Sequence, residues 1–394
     1  MLSKTSCFIF KNNKTFINMA TNKKYAFSAD RIEPNLPVFS EKVDQKWISF
    51  GDDNNWPNYV VSLYNGSAMN RTAIISKQDG VIGQGLKTKN EEDNFVLKRA
   101  NPEESWNDVF DKVTLDYLIF GGFALNIIWS NDGTTIAEIY HLDFSRIRSG
   151  NTNPLTNKVD SYFYCADWGK YKKNKPLEFP TFNPTTAVEQ PSQIRYFFDY
   201  NPSSLFYPFP SYSGGLNDIQ IDIEVSKFHI NNLANGLTPG LFIALNNGIP
   251  DPDARMEIYD EITMGGRGSE NAGKPFIAFS EDKEHAPEVT PIAAVNSDYY
   301  IQLDARITSR ILSAHRITSP LLLGLYHGGS GFSSSADEIM VAYSHFISTV
   351  IRPIQKSMLK VFDNLMMYRG YPEAELYIEQ NKIVESKENA IAEE

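Results

Sequence analysis

Residues 335–369 read SADEIMVAYSHFISTVIRPIQKSMLKVFDNLMMYR, and the spacing within them decides the fold. Ile339, Tyr343, Phe346, Val350, Ile354, Met358, Phe362 and Leu365 recur every three or four residues, as one face of an α-helix requires. Ser335 and Glu338 make a capping-box pattern, in which each side chain satisfies a free backbone donor. At 1.5 Å per residue the helix would run roughly 50 Å. Pro353 falls inside it, removing one backbone hydrogen bond and crowding the preceding turn, so a kink is expected there. A helix this long is hard to bury within one chain of this size, which favours an oligomer.

Upstream, Asp298 to His315 carries Tyr300, Leu303, Ile307, Ile311 and Ala314 on one side. Arg306 and Arg310, one turn apart, share another side. Ser319-Pro320 limits this helix, because the residue before a proline is pushed out of helical angles. The loop that follows contains Gly328-Gly329-Ser330-Gly331 and is expected to be mobile. Earlier still, Leu241 to Leu245 reads as a strand, and Pro250 and Pro252 open a helix with Ala254, Ile258 and Ile262 on one face. Phe276 to Phe279 completes a strand–helix–strand insertion. Gly215 to Gly236 is ambiguous. Ile219, Ile221, Ile223 and Val225 alternate as in a strand, whereas the length and the absence of internal Gly or Pro favour a helix. Pattern alone leans to strand.

The first half reads as helices followed by an antiparallel sheet, an α+β arrangement. Trp56-Pro57 starts a short helix, and Ala68 to Lys77 forms another, stopped by Gly80, Gly83 and Gly85. From Glu104, Trp106, Val109, Phe110, Val113 and Tyr117 mark a clearer helix that ends at Gly121-Gly122. Phe123 to Trp129 and Thr135 to His141 flank Asn131-Asp132-Gly133, a hairpin signal. Ser161 to Cys165 and Gln193 to Phe198 add two aromatic strands.

Composition narrows the function. Acidic residues number 48 and basic residues 37, a formal net charge of −11, which disfavours a nucleic-acid grip over the outer surface. The two cysteines, Cys7 and Cys165, can build no disulfide framework, zinc ribbon or CxxC pair. No apolar run approaches the ~20 residues of a membrane span, and Cys7-Phe8-Ile9-Phe10 is too short for a signal-peptide core. Gly268-Ser-Glu-Asn-Ala-Gly273-Lys274-Pro275 nearly matches the phosphate-binding loop of nucleotide enzymes. Pro275, however, replaces the magnesium-binding hydroxyl, and the flanking helix and strand come in the reverse order, so a simple turn is the better reading. The six histidines lack HExxH spacing, and no G-x-S-x-G elbow occurs. Asp251, Asp253, Asp260 and Glu261 read as a solvated helix face. No catalytic constellation emerges, and neither a metal nor a cofactor is expected.

Phe50-Gly-Asp-Asp-Asn-Asn-Trp56-Pro57 resembles the N-terminal signature of portal proteins from tailed bacteriophages. Tyr117 to Asn126, Ile139 to Asp143 with Arg146 and Arg148, Phe228 to Leu233, Asn271 to Lys274, and Ala314 to Pro320 are similar to that family in the same order. The resemblance covers about Trp47 to Gly370. It implies a portal-protein fold: an N-terminal arm (1–46), a wing (47–214), stem helices (215–236 and 297–316) around an α/β clip (237–296), a tunnel loop (317–334), a long kinked wing/crown helix (335–370) and a C-terminal tail (371–394). The family thus makes the segment near Ile221 a helix.

The resemblance also implies a ring of copies, usually a dodecamer, at the portal vertex of the capsid in the virion, assembled in the host cytoplasm. Double-stranded DNA would pass through it. The terminase large subunit, a head-tail adaptor and the major capsid protein would be its partners, with no membrane involved. Tyr326, His327, Gly328, Gly329, Ser330, Gly331 and Phe332 would line the channel, and Arg306 and Arg310 would sit in the stem. Asp251, Asp253, Arg255, Glu257 and Arg267 would meet motor and adaptor. A conduit must let DNA slide, and each cationic contact is a source of adhesion, so an acidic chain suits transport. The alternatives are a nucleotide-binding enzyme using the Gly268–Lys274 loop, or another structural virion protein such as a capsid protein or tail adaptor.

Overall fold

A computed structural model describes residues 37, 39, 41, 44–202, 204–235, 242–245, 248–264, 276–280, 297–325 and 336–381, all within the unit spanning 37–394. Its elements run α1 (Trp56–Gly66), α2 (Ala68–Ile82), β1 (Leu86–Thr88), α3 (Trp106–Phe120), β2 (Gly122–Trp129), β3 (Ile136–Leu142), β4 (Ile147–Ser149), β5 (Ser161–Tyr164), β6 (Leu177–Pro180) and β7 (Ser192–Phe198). Then come α4 (Leu216–Asn235), β8 (Phe242–Leu245), α5 (Pro252–Met264), β9 (Phe276–Phe279), α6 (Ser297–Ala314), α7 (Ala336–Phe346), α8 (Arg352–Arg369) and β10 (Leu376–Ile378). The α+β reading holds.

α3 begins where Ser105 caps it. The Ser105 hydroxyl accepts from the Asp108 backbone and Asp108 accepts in return, a complete capping box. It ends at Gly121, whose φ of +88° suits a residue without a Cβ. The β2–β3 hairpin forms as expected, but the expected single sheet is divided in two: β2 lies between β3 and β7, antiparallel to both, with Ile127 opposite Ile139 and Gln193, while β5 belongs to a separate sheet. Gly133, at φ +67°, turns the β2–β3 hairpin. A second antiparallel sheet runs β4-β5-β6, and β1 pairs with β10.

The expected stripe of the long helix faces inward, with Phe346, Val350, Met358, Phe362 and Leu365 buried. Phe362 meets Phe110 edge-on, ring centres 5.2 Å apart, and also contacts Trp106 and Phe123. The inward stripe is therefore covered within a single chain, against α3 and β2, while Met340, Val341 and Met367 on the same helix are 40%, 71% and 45% exposed. The helix's length alone is thus no argument for an oligomer.

Two other expectations are corrected. α2 does not stop at Gly80 but continues to Ile82. Gly80 instead lets Ile351 approach: a Cβ there would lie 3.0 Å from the Ile351 Cδ1. The segment near Ile221 is a helix, as the resemblance implied and the alternation did not. Ile219 is buried and Ile223 half-buried one turn on, while Ile221 is 42% exposed. The alternation misled because apolar residues also occupy an outward face of α4.

Candidate functional site

Three features converge on the paired helices α4 and α6. Gly215 and Ala314 bring the start of α4 against the end of α6, so the two run antiparallel; a Cβ on Gly215 would sit 2.6 Å from the Ala314 Cβ. Arg310 then reaches Asp218 across the pair at 3.4 Å. Ile219, Ile307 and Ile311 bury these ends in one core with Phe50, Tyr207 and Phe144. Arg310 is thus ion-paired within the chain, while Arg306 is exposed. Gly215→Ala is expected to destabilise by about 1–3 kcal/mol through overpacking. Ala314→Gly in the same chain should recover most of that loss, a cycle read from urea midpoints.

Between the pair sits the β8–α5–β9 insertion, whose strands are parallel with Phe242 opposite Phe276. Asp251 is not on a helix face: its Oδ1 accepts from the Asp253 and Ala254 backbone N–H groups, so it caps α5. Arg255 donates to the Pro250 carbonyl at 2.7 Å. Asp253 and Glu257 are exposed beside Met256, which is 56% exposed. Arg267, the Gly268–Lys274 loop and the residues from Tyr326 to Phe332 lie outside the described residues, as does Ser335.

Where a kink is expected, the helix changes its hydrogen-bond pattern. Ile347–Ile351 is one turn of π-helix immediately before α8, and Pro353 occupies the first turn of α8. Widening the helix by one residue accommodates the proline ring without a break. Pro353 also leaves the Thr349 carbonyl without its usual donor. Arg316 supplies one, its Nη2 donating to that oxygen at 3.1 Å. Arg316 itself holds φ +60°, uncommon for a residue with a side chain. The Thr349 and Ser348 hydroxyls both donate to the His345 carbonyl.

Beneath this junction lies a buried polar group. His315 stacks on Tyr212 with ring centres 4.6 Å apart, and its Nε2 is 2.8 Å from the Asn70 Oδ1. Lys77 is 3% exposed. Burial, together with the charge of Arg316, pushes its ammonium down to about 7. Burial and Lys77 hold His315 well below the ordinary histidine range. Sequence reading missed Lys77, since nothing in its spacing separates it from a surface lysine.

The opening signature is explained by Arg148. Asn54, at φ +60°, accepts from the Phe50 N–H and the Arg148 Nε. Arg148 also donates to the carbonyls of Asn54 at 2.9 Å and of Ser145 and Ile147 at 2.8 Å each. Its guanidinium lies over the Phe50 and Trp168 rings. Burial pushes it down to about 10, so it remains charged at neutral pH.

No protein-family model matches the chain. An uncharacterized protein of Rickettsia bellii (strain RML369-C) is 24% identical over 186 residues, 47% of this chain. The match spans 44% of that relative's length. Among solved structures, the neck of a native gene transfer agent particle computed with C12 symmetry contains a chain at TM-score 0.51 and 15% identity. The match covers 83% of this chain and 85% of that one. The neck of the empty particle computed with C6 symmetry gives TM-score 0.50 and 14% identity over 80% and 82%. The chain shares its fold with a chain in the neck of that particle. This shared fold supports the resemblance to tailed-phage portal proteins, and joins helix and sheet as that resemblance requires. Among the described residues no helix is long and apolar enough to cross a membrane.

Proposed function

We propose that the protein is a structural connector of a phage-like virion, assembled as a ring at the portal vertex, through which double-stranded DNA is packaged and ejected. The observation that carries this reading is the fold it shares with a chain in the neck of the gene transfer agent particle, computed there with twelve-fold and six-fold symmetry. In this reading α4 and α6 are the stem, β8–α5–β9 is the clip that meets terminase and adaptor through Asp253 and Glu257, and residues 47–214 are the wing. The role is structural, with no catalysis by this chain.

Self-association has a physical motive in α4. Ile221 is 42% and Ile230 64% exposed, nine residues apart and so on opposite sides of this helix, apolar surface that the neighbouring copies on either side in a ring would remove from water. Negative-stain imaging and mass photometry of the purified protein are expected to show closed rings with a central hole. Ile221→Lys with Ile230→Lys should reduce the ring fraction at least roughly tenfold, since two charges would be desolvated at each contact. A wild-type protein that stays a single subunit would overturn the reading.

A further inference from the structure

The outer face of α8 reverses the charge of the molecule. Arg352, Lys356 and Lys360 follow one another at four-residue intervals and all are exposed. At 1.5 Å per residue the three span about 12 Å of helix. Among the described residues none has a carboxylate in ion-pair range, although the chain holds 48 acidic residues against 37 basic ones. Arg316, exposed and hydrogen-bonded to the Thr349 carbonyl one turn before this row, adds a fourth cation from a different element. Asp363, exposed one turn beyond Lys360, accepts from the Leu376 N–H, and Asp199 accepts from the hydroxyls of Ser357 and Tyr117.

We propose that this row, Arg316, Arg352, Lys356 and Lys360, is a contact for the phosphate backbone of duplex DNA. The inference rests on the reading above that DNA traverses the assembly. A strand of duplex presents one phosphate per 3.4 Å of axis, so 12 Å of helix faces roughly three to four phosphates. An acidic protein partner fits less well. Stable protein interfaces have an apolar centre, and no large apolar side chain is exposed between Arg352 and Leu365. Side chains of this kind bind phosphate without reading sequence. Such a row adheres, so it belongs to a surface where DNA is held reversibly, distinct from one along which it slides.

The test uses the full-length assembled protein and a fluorescent duplex of mixed sequence, titrated at salt concentrations from roughly 50 to 200 mM. The triple variant R352Q/K356Q/K360Q keeps good helix formers at each position. Its slope of log affinity against log salt should be shallower by about 2 to 3, with affinity at low salt reduced at least tenfold. A charge-matched control, K172Q/K173Q/K175Q, removes three exposed loop lysines and should leave the slope unchanged. No binding by the wild type, an unchanged slope in the row variant, or an equal fall in the control would each overturn the proposal. Imaging the same preparations separates the two readings. Rings with an unchanged slope sink the row alone, and a slope change without rings sinks the ring alone.

Discussion

Replacing Arg148 with alanine is expected to destabilise the protein by about 4 kcal/mol or more, enough to leave much of it unfolded. Each buried carbonyl stripped of its donor costs about 1–3 kcal/mol, and Arg148 serves those of Asn54, Ser145 and Ile147. The substitution also empties the space between Phe50 and Trp168. Arg148→Lys should fail to rescue. A lysine has no planar fork to reach three carbonyls and the Asn54 amide together, and its ammonium would be buried in a less suitable geometry. Urea unfolding of wild type, R148A and R148K would measure this. A lysine variant within about 1 kcal/mol of wild type would show that the fork geometry is not what matters. The loss would fall on the 50–57 turn, because Asn54 and Arg148 lock it from opposite sides.

Lys77→Met carries the opposite sign. Among the described residues no carboxylate pairs with Lys77, so its buried ammonium is a penalty that a methionine of similar volume removes. The ammonium titrates at about 7 in the folded protein against 10.5 in its ordinary state. Between those values the unfolded chain binds a proton that the folded chain lacks, so stability rises with pH across that window. Below pH 7 both states are protonated and the full cost of burying the charge is present. The variant should therefore be more stable than wild type at pH 7 by about 1–4 kcal/mol. That advantage should shrink steadily toward pH 10. His315 titrates lower, so restricting the comparison to pH 7–10 keeps it neutral in both proteins. Urea midpoints that run parallel for the two proteins over this range would show that Lys77 is not held neutral.

Much of the fold was legible in the residues. The inward stripe from Ile339 to Leu365, the helix opening at Trp106 and the hairpin around Asp132-Gly133 each obey a local rule, periodicity or turn geometry, that survives folding unchanged. The strand–helix–strand insertion was legible for the same reason. The helix α4 was not, because alternation and helical spacing share Ile219 and Ile223, and only a structure shows Ile221 turned outward. Gly80 was misread because a glycine that ends a helix and one that admits a neighbour look alike in sequence.

Periodicity, capping and turn residues depend on neighbours a few positions away, so the chain's order of residues determined its helices and its antiparallel strands. The tertiary structure decided what lies far apart in the chain. It set Arg316 on the carbonyl that Pro353 frees, Gly215 against Ala314, Arg148 inside the 50–57 turn, and Lys77 in the interior. Burial and donor geometry are properties of packed surfaces, and no local pattern encodes which surfaces will meet.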